Sequence, residues 1–129
     1  MADVESTLQR FLRAFSGLRL DEMVGFFADE ATAFFPVRHK APRLDGRGAI
    51  GERFGWVLER VRESGATRLR LEAEDVHVQE FGDVAVVTFH ARDEELCRRT
   101  FVFRRSQGRW IIEHMHASNA PLPESPEEA

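Results

Sequence analysis

The 129-residue sequence contains no tyrosine and a single cysteine, Cys97. Without tyrosine there is no phenol to serve as an acid or an oxyanion donor. One thiol cannot close an intrachain disulfide or build a thiolate zinc cluster, and a reducing compartment is the default for such a chain. No apolar run approaches the ~20 residues that span a bilayer. Residues 1–10 are charged and lack the apolar centre of a secretory signal, so a soluble, cytoplasmic protein is expected. Neither charge sign dominates: 18 Lys and Arg against 22 Asp and Glu give a net charge of −4, which leaves no footprint for nucleic acid or an anionic membrane. The 43% hydrophobic content suits one globular domain over residues 1–120. A chain of this size buries roughly two thirds of the surface it exposes when unfolded.

What is present is ordered patterning. Val4, Leu8, Phe11, Leu12 and Phe15 recur at helical spacing and Gly17 follows them, which predicts an amphipathic helix over residues 2–16. A short second helix is expected to open at Asp21 as N-cap and run through Phe26 and Phe27. Residues 32–35 are rich in β-formers and stop at Pro36, which reads as a strand; residues 37–48, with Pro42 and Gly46, read as a loop. Ile50, Phe54, Val57, Leu58 and Val61 restore the helical rhythm until Ser64-Gly65. The period then falls to two. Strands are expected at residues 69–73, 76–78, 84–91, 97–104 and 109–119, separated by turns at Phe81-Gly82-Asp83, Arg92-Asp93-Glu94 and Ser106-Gln107-Gly108. Pro121, Pro123 and Pro126 among glutamates predict a disordered tail over 121–129. Helices followed by an antiparallel meander give an α+β layout in which a curved sheet wraps a helix.

Four segments in this order carry a resemblance: Thr32-Ala33-Phe34-Phe35-Pro36, Leu44-Asp45-Gly46-Arg47, residues 99–105 (RTFVFRR) and residues 108–118 (GRWIIEHMHAS). Together they resemble the nuclear transport factor 2-like superfamily, nearest to SnoaL-like domains and to the association domain of calcium/calmodulin-dependent protein kinase II. The Trp-x-Ile-x-His-x-His-x-Ser pattern is the most specific part. The resemblance implies a cone-shaped α+β barrel, related to the cystatin-like fold, with three helices against a curved and mainly antiparallel sheet. It also implies an internal pocket and a convex face often used for dimerisation. Because the superfamily holds isomerases, cyclases, dehydratases, hydrolases and noncatalytic modules, function has to be read from the site.

Strict alternation along the last strand puts Trp110, Ile112, His114, His116 and Ser118 on one face, and Ile111, Glu113, Met115 and Ala117 on the other. In the association domain the second set occupies the pocket side, which implies that His114 and His116 lie on the convex face. Two readings of this histidine pair stay open: ligands for a metal, or hydrogen-bonding groups at a subunit interface with Trp110. No third ligand is placed by the spacing, so no metal is expected. Phe101, Phe103, Trp110 and Ile112 are expected to form an apolar convex patch that a second copy covers.

Glu113, between Ile111 and Met115, is read either as a desolvated general acid or base, or as a carboxylate paired with Arg98 or Arg104. His90 is its candidate partner in acid/base chemistry, the alternative being a histidine satisfied by a single hydrogen bond. Phe34, Phe54, Trp56 and Met115 are expected to wall an apolar cavity, with Thr88, Arg98 and Thr100 as further ligand contacts. Aromatics at helical spacing are also what plain core looks like. His90, Thr100 and Ala117 stand where the association domain carries pocket arginines, so its carboxylate-holding set is absent at those positions. The ketosteroid-isomerase branch is discounted: its tyrosine is missing, and residues 34–44 offer only His39 and cationic side chains. Asp45-Gly46-Arg47-Gly48 lacks the lysine and glycine spacing of a nucleotide loop, and no cofactor is expected. Three functions remain open: a small-molecule-binding domain, a SnoaL-like enzyme using Glu113 and His90, and an oligomerisation module.

Overall fold

The computed structural model describes residues 3–36 and 42–122. Helix α1 (Val4–Ser16) is capped by Asp3, whose side chain accepts from the Ser6 amide at 2.7 Å, and it buries Val4, Thr7, Leu8, Phe11, Leu12 and Ala14 along one stripe. The left-handed residue after it is Leu18 (φ 58°), held there by a side chain packed into the core. Helix α2 (Leu20–Val24) opens one residue before Asp21, with Arg19 at the N-cap. It does not continue through Phe26 and Phe27. Strand β1 (Phe27–Phe34) begins there instead, because the Phe27 ring is drawn against Phe11 and Phe54 at 5.7 and 5.9 Å.

Within the expected loop, Leu44–Asp45 form a two-residue strand, β2, paired with Thr32 and Ala33 of β1. The Gly46 amide donates to the Ala31 carbonyl at 2.8 Å, and its φ of 96° is one that side chains rarely adopt. Helix α3 (Arg47–Glu63) follows, burying Ile50, Phe54 and Leu58. Residues 37–41, including His39, and the tail from 123 onward lie outside the described residues.

The expected strand over 69–73 is absent from the sheet. The Leu69 amide donates to the Ser16 carbonyl and its own carbonyl accepts from Ser16 Oγ, so this stretch is tied to the end of α1, although Leu69 and Ala73 still pack on the core. Strands β3 (Glu74–Phe81), β4 (Val84–Arg92), β5 (Leu96–Ser106) and β6 (Arg109–Ala120) then form the meander. The β5–β6 turn uses Gln107 and Gly108, both at positive φ (53° and 74°), as tight hairpins require. The six strands lie in the order β2-β1-β6-β5-β4-β3; β1 and β6 run parallel and the other neighbours antiparallel. The fold is thus the expected α+β cone, its sheet curled around the helices rather than closed.

Phe11 sits at the centre of the core, meeting Phe15, Phe26, Phe27, Phe54 and Phe101 edge-on at centroid separations of 5.6–6.3 Å. On β6 the alternation is interrupted. Phe103 pairs with Ile112 but Val102 pairs with His114, which leaves Glu113 as an extra residue in a β-bulge. Trp110 and Ile112 before the bulge and Met115 and Ala117 after it all point inward, each no more than 5% exposed. Strand β5 shares this phase: Phe101 and Phe103 face the core, and Thr100 and Val102 face out.

Candidate functional site

The bulge redistributes the expected site residues. Glu113 does not enter a cavity between Ile111 and Met115; it shares the outer face with Arg104, whose Nη2 and Nε donate to Glu113 Oε1 at 2.8 and 2.9 Å. The pair borders an open groove of about 400 Å³ with Asp29, Arg47 and Ile111. His90 is also outside, in a row with Arg98 and with Ser118, which lies beyond Glu113 toward the end of β6, so the structure does not bring the two together as an acid/base pair. Thr88 and Thr100 sit side by side with His116 on this outer face. The likeness to the association domain had implied pocket positions for His90 and Thr100, whereas Glu113 was misplaced because strict period-two counting carried one phase through a strand that changes phase.

The same error displaced the expected interface. Phe101, Phe103, Trp110 and Ile112 are core residues, not a convex patch. The expected apolar wall is dispersed as well. Phe54 and Met115 are buried, whereas Phe34 lies outside against the His114 and His116 rings at 5.9 and 5.2 Å. Trp56 is 46% exposed on α3, covered by the guanidinium groups of Arg53 and Arg60 at 5.9 and 5.0 Å.

His114 Nδ1 and Thr32 Oγ1 are 2.7 Å apart. Burial, reinforced by the neighbouring His116, holds the His114 pKa below the usual histidine value, and the Thr32 backbone opposes the shift. No cluster of three or more metal-ligating side chains exists among the described residues.

Pattern reading missed Arg99. It occupies the core face of β5, in phase with Phe101 and Phe103, between Phe89 of β4 and Ala117 of β6. The next row toward the strand end is Ala91, Cys97 and Asn119. Arg99 Nη1 donates to the carbonyls of Arg98 and Ser118 at 2.9 and 3.3 Å and to Asn119 Oδ1 at 3.1 Å. Desolvation lowers its pKa, partly offset by Cys97, and it forms no ion pair among the described residues. Arg98, expected as a ligand contact, is exposed on the outer face, and Arg99 was not distinguished from it because adjacent strand residues of like charge alternate between faces. The available signal was its period-two match to two phenylalanines.

A second groove, of about 410 Å³, lies between α1, α2 and the β5–β6 turn, lined by Thr7, Arg10, Glu22, Phe26 and Trp110. It is open and mixed in charge, and lies away from Arg99. No helix among the described residues is long and apolar enough to cross a membrane.

Many solved structures share the fold, three of them as follows. A nuclear transport factor 2-like protein of unknown function from Pseudomonas putida KT2440 is 21% identical with a TM-score of 0.79, over 98% of this chain and 89% of that one. A provisional calcium/calmodulin-dependent protein kinase type II association domain from Thiobacillus denitrificans is 26% identical with a TM-score of 0.72, over 95% and 98%. A ketosteroid isomerase-like protein from Erwinia carotovora atroseptica is 20% identical with a TM-score of 0.71, over 95% of each chain. No curated protein matches the sequence. The model of the SnoaL-like domain matches residues 4–123, nearly all of the described fold, and the chain belongs to that family, within the nuclear transport factor 2-like superfamily.

Proposed function

We propose that this SnoaL-like domain binds a small molecule between the core face of the sheet and its helices, at the end where β6 finishes. One observation carries the reading. Toward that end the inward positions change from Phe103, Phe101 and Met115 to Arg99, Cys97 and Asn119, while Phe89 and Ala117 beside them stay apolar. A core has no use for a guanidinium without a counterion, whereas a ligand site is an apolar concavity with a few directed polar groups. Glu113 and His90 take no part in this reading. The test is ligand-induced stabilisation: a library of small apolar acids, amides and alcohols should contain compounds that raise the melting temperature. Ala117→Phe, which fills the row beside Arg99, should abolish the effect. Stabilisation that survives this substitution would place binding elsewhere.

A second reading, self-association, rests on the outer face. Val86, Thr88, Thr100, Val102, Thr32 and Phe34 form an uncharged, partly buried patch around His114 and His116, with Arg98, Arg104 and Glu113 at its margin. Charge depletion at the centre with charge at the rim is the composition of an interface. In sedimentation at micromolar concentration the protein should run as a dimer, and Val102→Glu should run as a monomer of unchanged helicity. A wild-type monomer would refute it.

A further inference from the structure

All four histidines among the described residues project from the outer face of the sheet. His77 of β3 pairs with Thr88, His90 of β4 with Arg98, and His114 and His116 of β6 with Val102 and Thr100. Residues paired directly across strands share a face, and the buried Phe89, Phe101 and Met115 hold the opposite one. His114 and His116 occupy the middle. Their rings meet Phe34 at 5.9 and 5.2 Å, with the uncharged side chains of Thr32, Thr100 and Val102 in the neighbouring positions. Toward the β3–β4 turn the same face ends in Phe81 and Val84, a directly paired couple left 63% and 37% exposed. Large apolar side chains exposed together mark a contact surface.

The charged groups around the histidines neutralise one another in place. On the β1 and β2 side Asp45 is held by Arg43 at 2.6 Å, and on the β5 side Glu113 is held by Arg104 at 2.8 Å. Beside His90, Glu74 is held by Arg92 at 3.0 Å. Arg98, in register with His90, makes no ion pair among the described residues. Glu30 makes none either, but it lies outside the β1–β6 register, in the groove that Glu113 borders. A face balanced in this way can meet its own copy across a twofold axis with little repulsion. The carboxylates in register with the histidines are already taken by arginines, so none is left to answer a further positive charge.

Resting on the self-association reading above, we propose that acid separates the two copies, with His114 and His116 of both protomers as the sensing groups. Histidine is the side chain whose ordinary charge change falls between pH 5 and 8. Neutral imidazoles can be covered by a second copy provided that they keep a hydrogen bond, as His114 Nδ1 does with Thr32 Oγ1 at 2.7 Å. Once protonated, each is duplicated across the twofold axis, and burying a cation without a counterion is costly. Separated protomers therefore bind protons more readily than the dimer, dissociation takes protons up, and association weakens as pH falls. His77 on the edge strand and His90 beside Glu74 and Arg98 stand at the margin, where water screens an added charge.

The experiment is sedimentation equilibrium over a dilution series at pH 7.5, 6.5 and 5.5 and fixed ionic strength, with circular dichroism at each pH, on wild type and the His114→Gln/His116→Gln double variant. The wild-type dimer should weaken at least tenfold between pH 7.5 and 5.5 while the dichroism spectrum stays constant. The double variant should dimerise at pH 7.5 and change less than threefold over the same range. Should the double variant be monomeric throughout, the two single variants decide, and each should keep only part of the pH dependence. A wild-type dimer equally tight at all three pH values would overturn the switch and leave self-association standing. A monomer at every pH would overturn both. Full pH dependence in the double variant, or dissociation only in step with loss of the dichroism signal, would also overturn the switch.

Discussion

Phe101→Ala tests the placement of the sheet faces most directly. The Phe101 ring is 2% exposed and lies against Phe11, Phe89 and Phe103 at 5.6, 5.8 and 6.0 Å. Truncation removes three aromatic contacts at once and leaves a void whose walls are themselves rigid rings, so little collapse is available. Phenylalanine-to-alanine changes in such settings cost about 3–5 kcal/mol. Against a total stability of about 5–15 kcal/mol this is a large share, and the melting temperature should fall by roughly 10–20 °C. The assay is thermal and urea unfolding followed by circular dichroism at one fixed concentration, with sedimentation in parallel. Had Phe101 belonged to a convex interface, its loss would weaken association and spare the protomer. A melting temperature within about 3 °C of wild type, with only the oligomeric state changed, would refute the placement.

Glu113→Gln removes a partly exposed ion pair with Arg104, and such pairs contribute about 0–1 kcal/mol, so stability should change by no more than that and ligand affinity should not change; loss of binding on calorimetry would restore the carboxylate to the site. For His114, whose pKa is lowered in the folded protein by burial and then by His116, the unfolded chain takes up a proton first as pH drops. Stability should therefore decline as pH falls below about 6.5, levelling once folded His114 also protonates. His114→Gln should flatten that slope in urea midpoints measured from pH 7.5 to 5.5, and an unaltered slope would contradict the assignment. Gly46→Ala should cost about 1–3 kcal/mol through its φ of 96°, because the nearest atom to the added methyl carbon is the Asp29 carbonyl at 3.8 Å and no clash arises; an unchanged urea midpoint would rule out strain there.

Much of the architecture was visible as periodicity. The stripes on α1 and α3, the three long strands and the Gln107-Gly108 turn follow from local spacing and turn chemistry, which act within a few residues. The departures all arise from contacts distant in sequence. Phe26 and Phe27 look helical until the core recruits Phe27 into β1, and residues 69–73 alternate like a strand but are fixed by Ser16. Strand β2 is too short to show any period. The face assignment of Met115, Ala117, His114 and His116 was readable, whereas that of Trp110, Ile112, Phe101 and Phe103 was not. A single uncounted residue, Glu113, separates those two groups on β6, and nothing in its side chain announces a bulge. Arg99 was lost with them, since its inward position follows only once β5 is in the right phase.

The parallel pairing of β1 with β6 joins Thr32 to His114, 82 positions apart. During translation, therefore, the first strand emerges with one edge bare and must wait while α3 and the whole meander are made. Throughout that interval β1 is an unprotected template for strands of other nascent chains. Faster synthesis of the intervening segment, or a chaperone that shields β1, should raise the yield of native protein more than any change to the later hairpins.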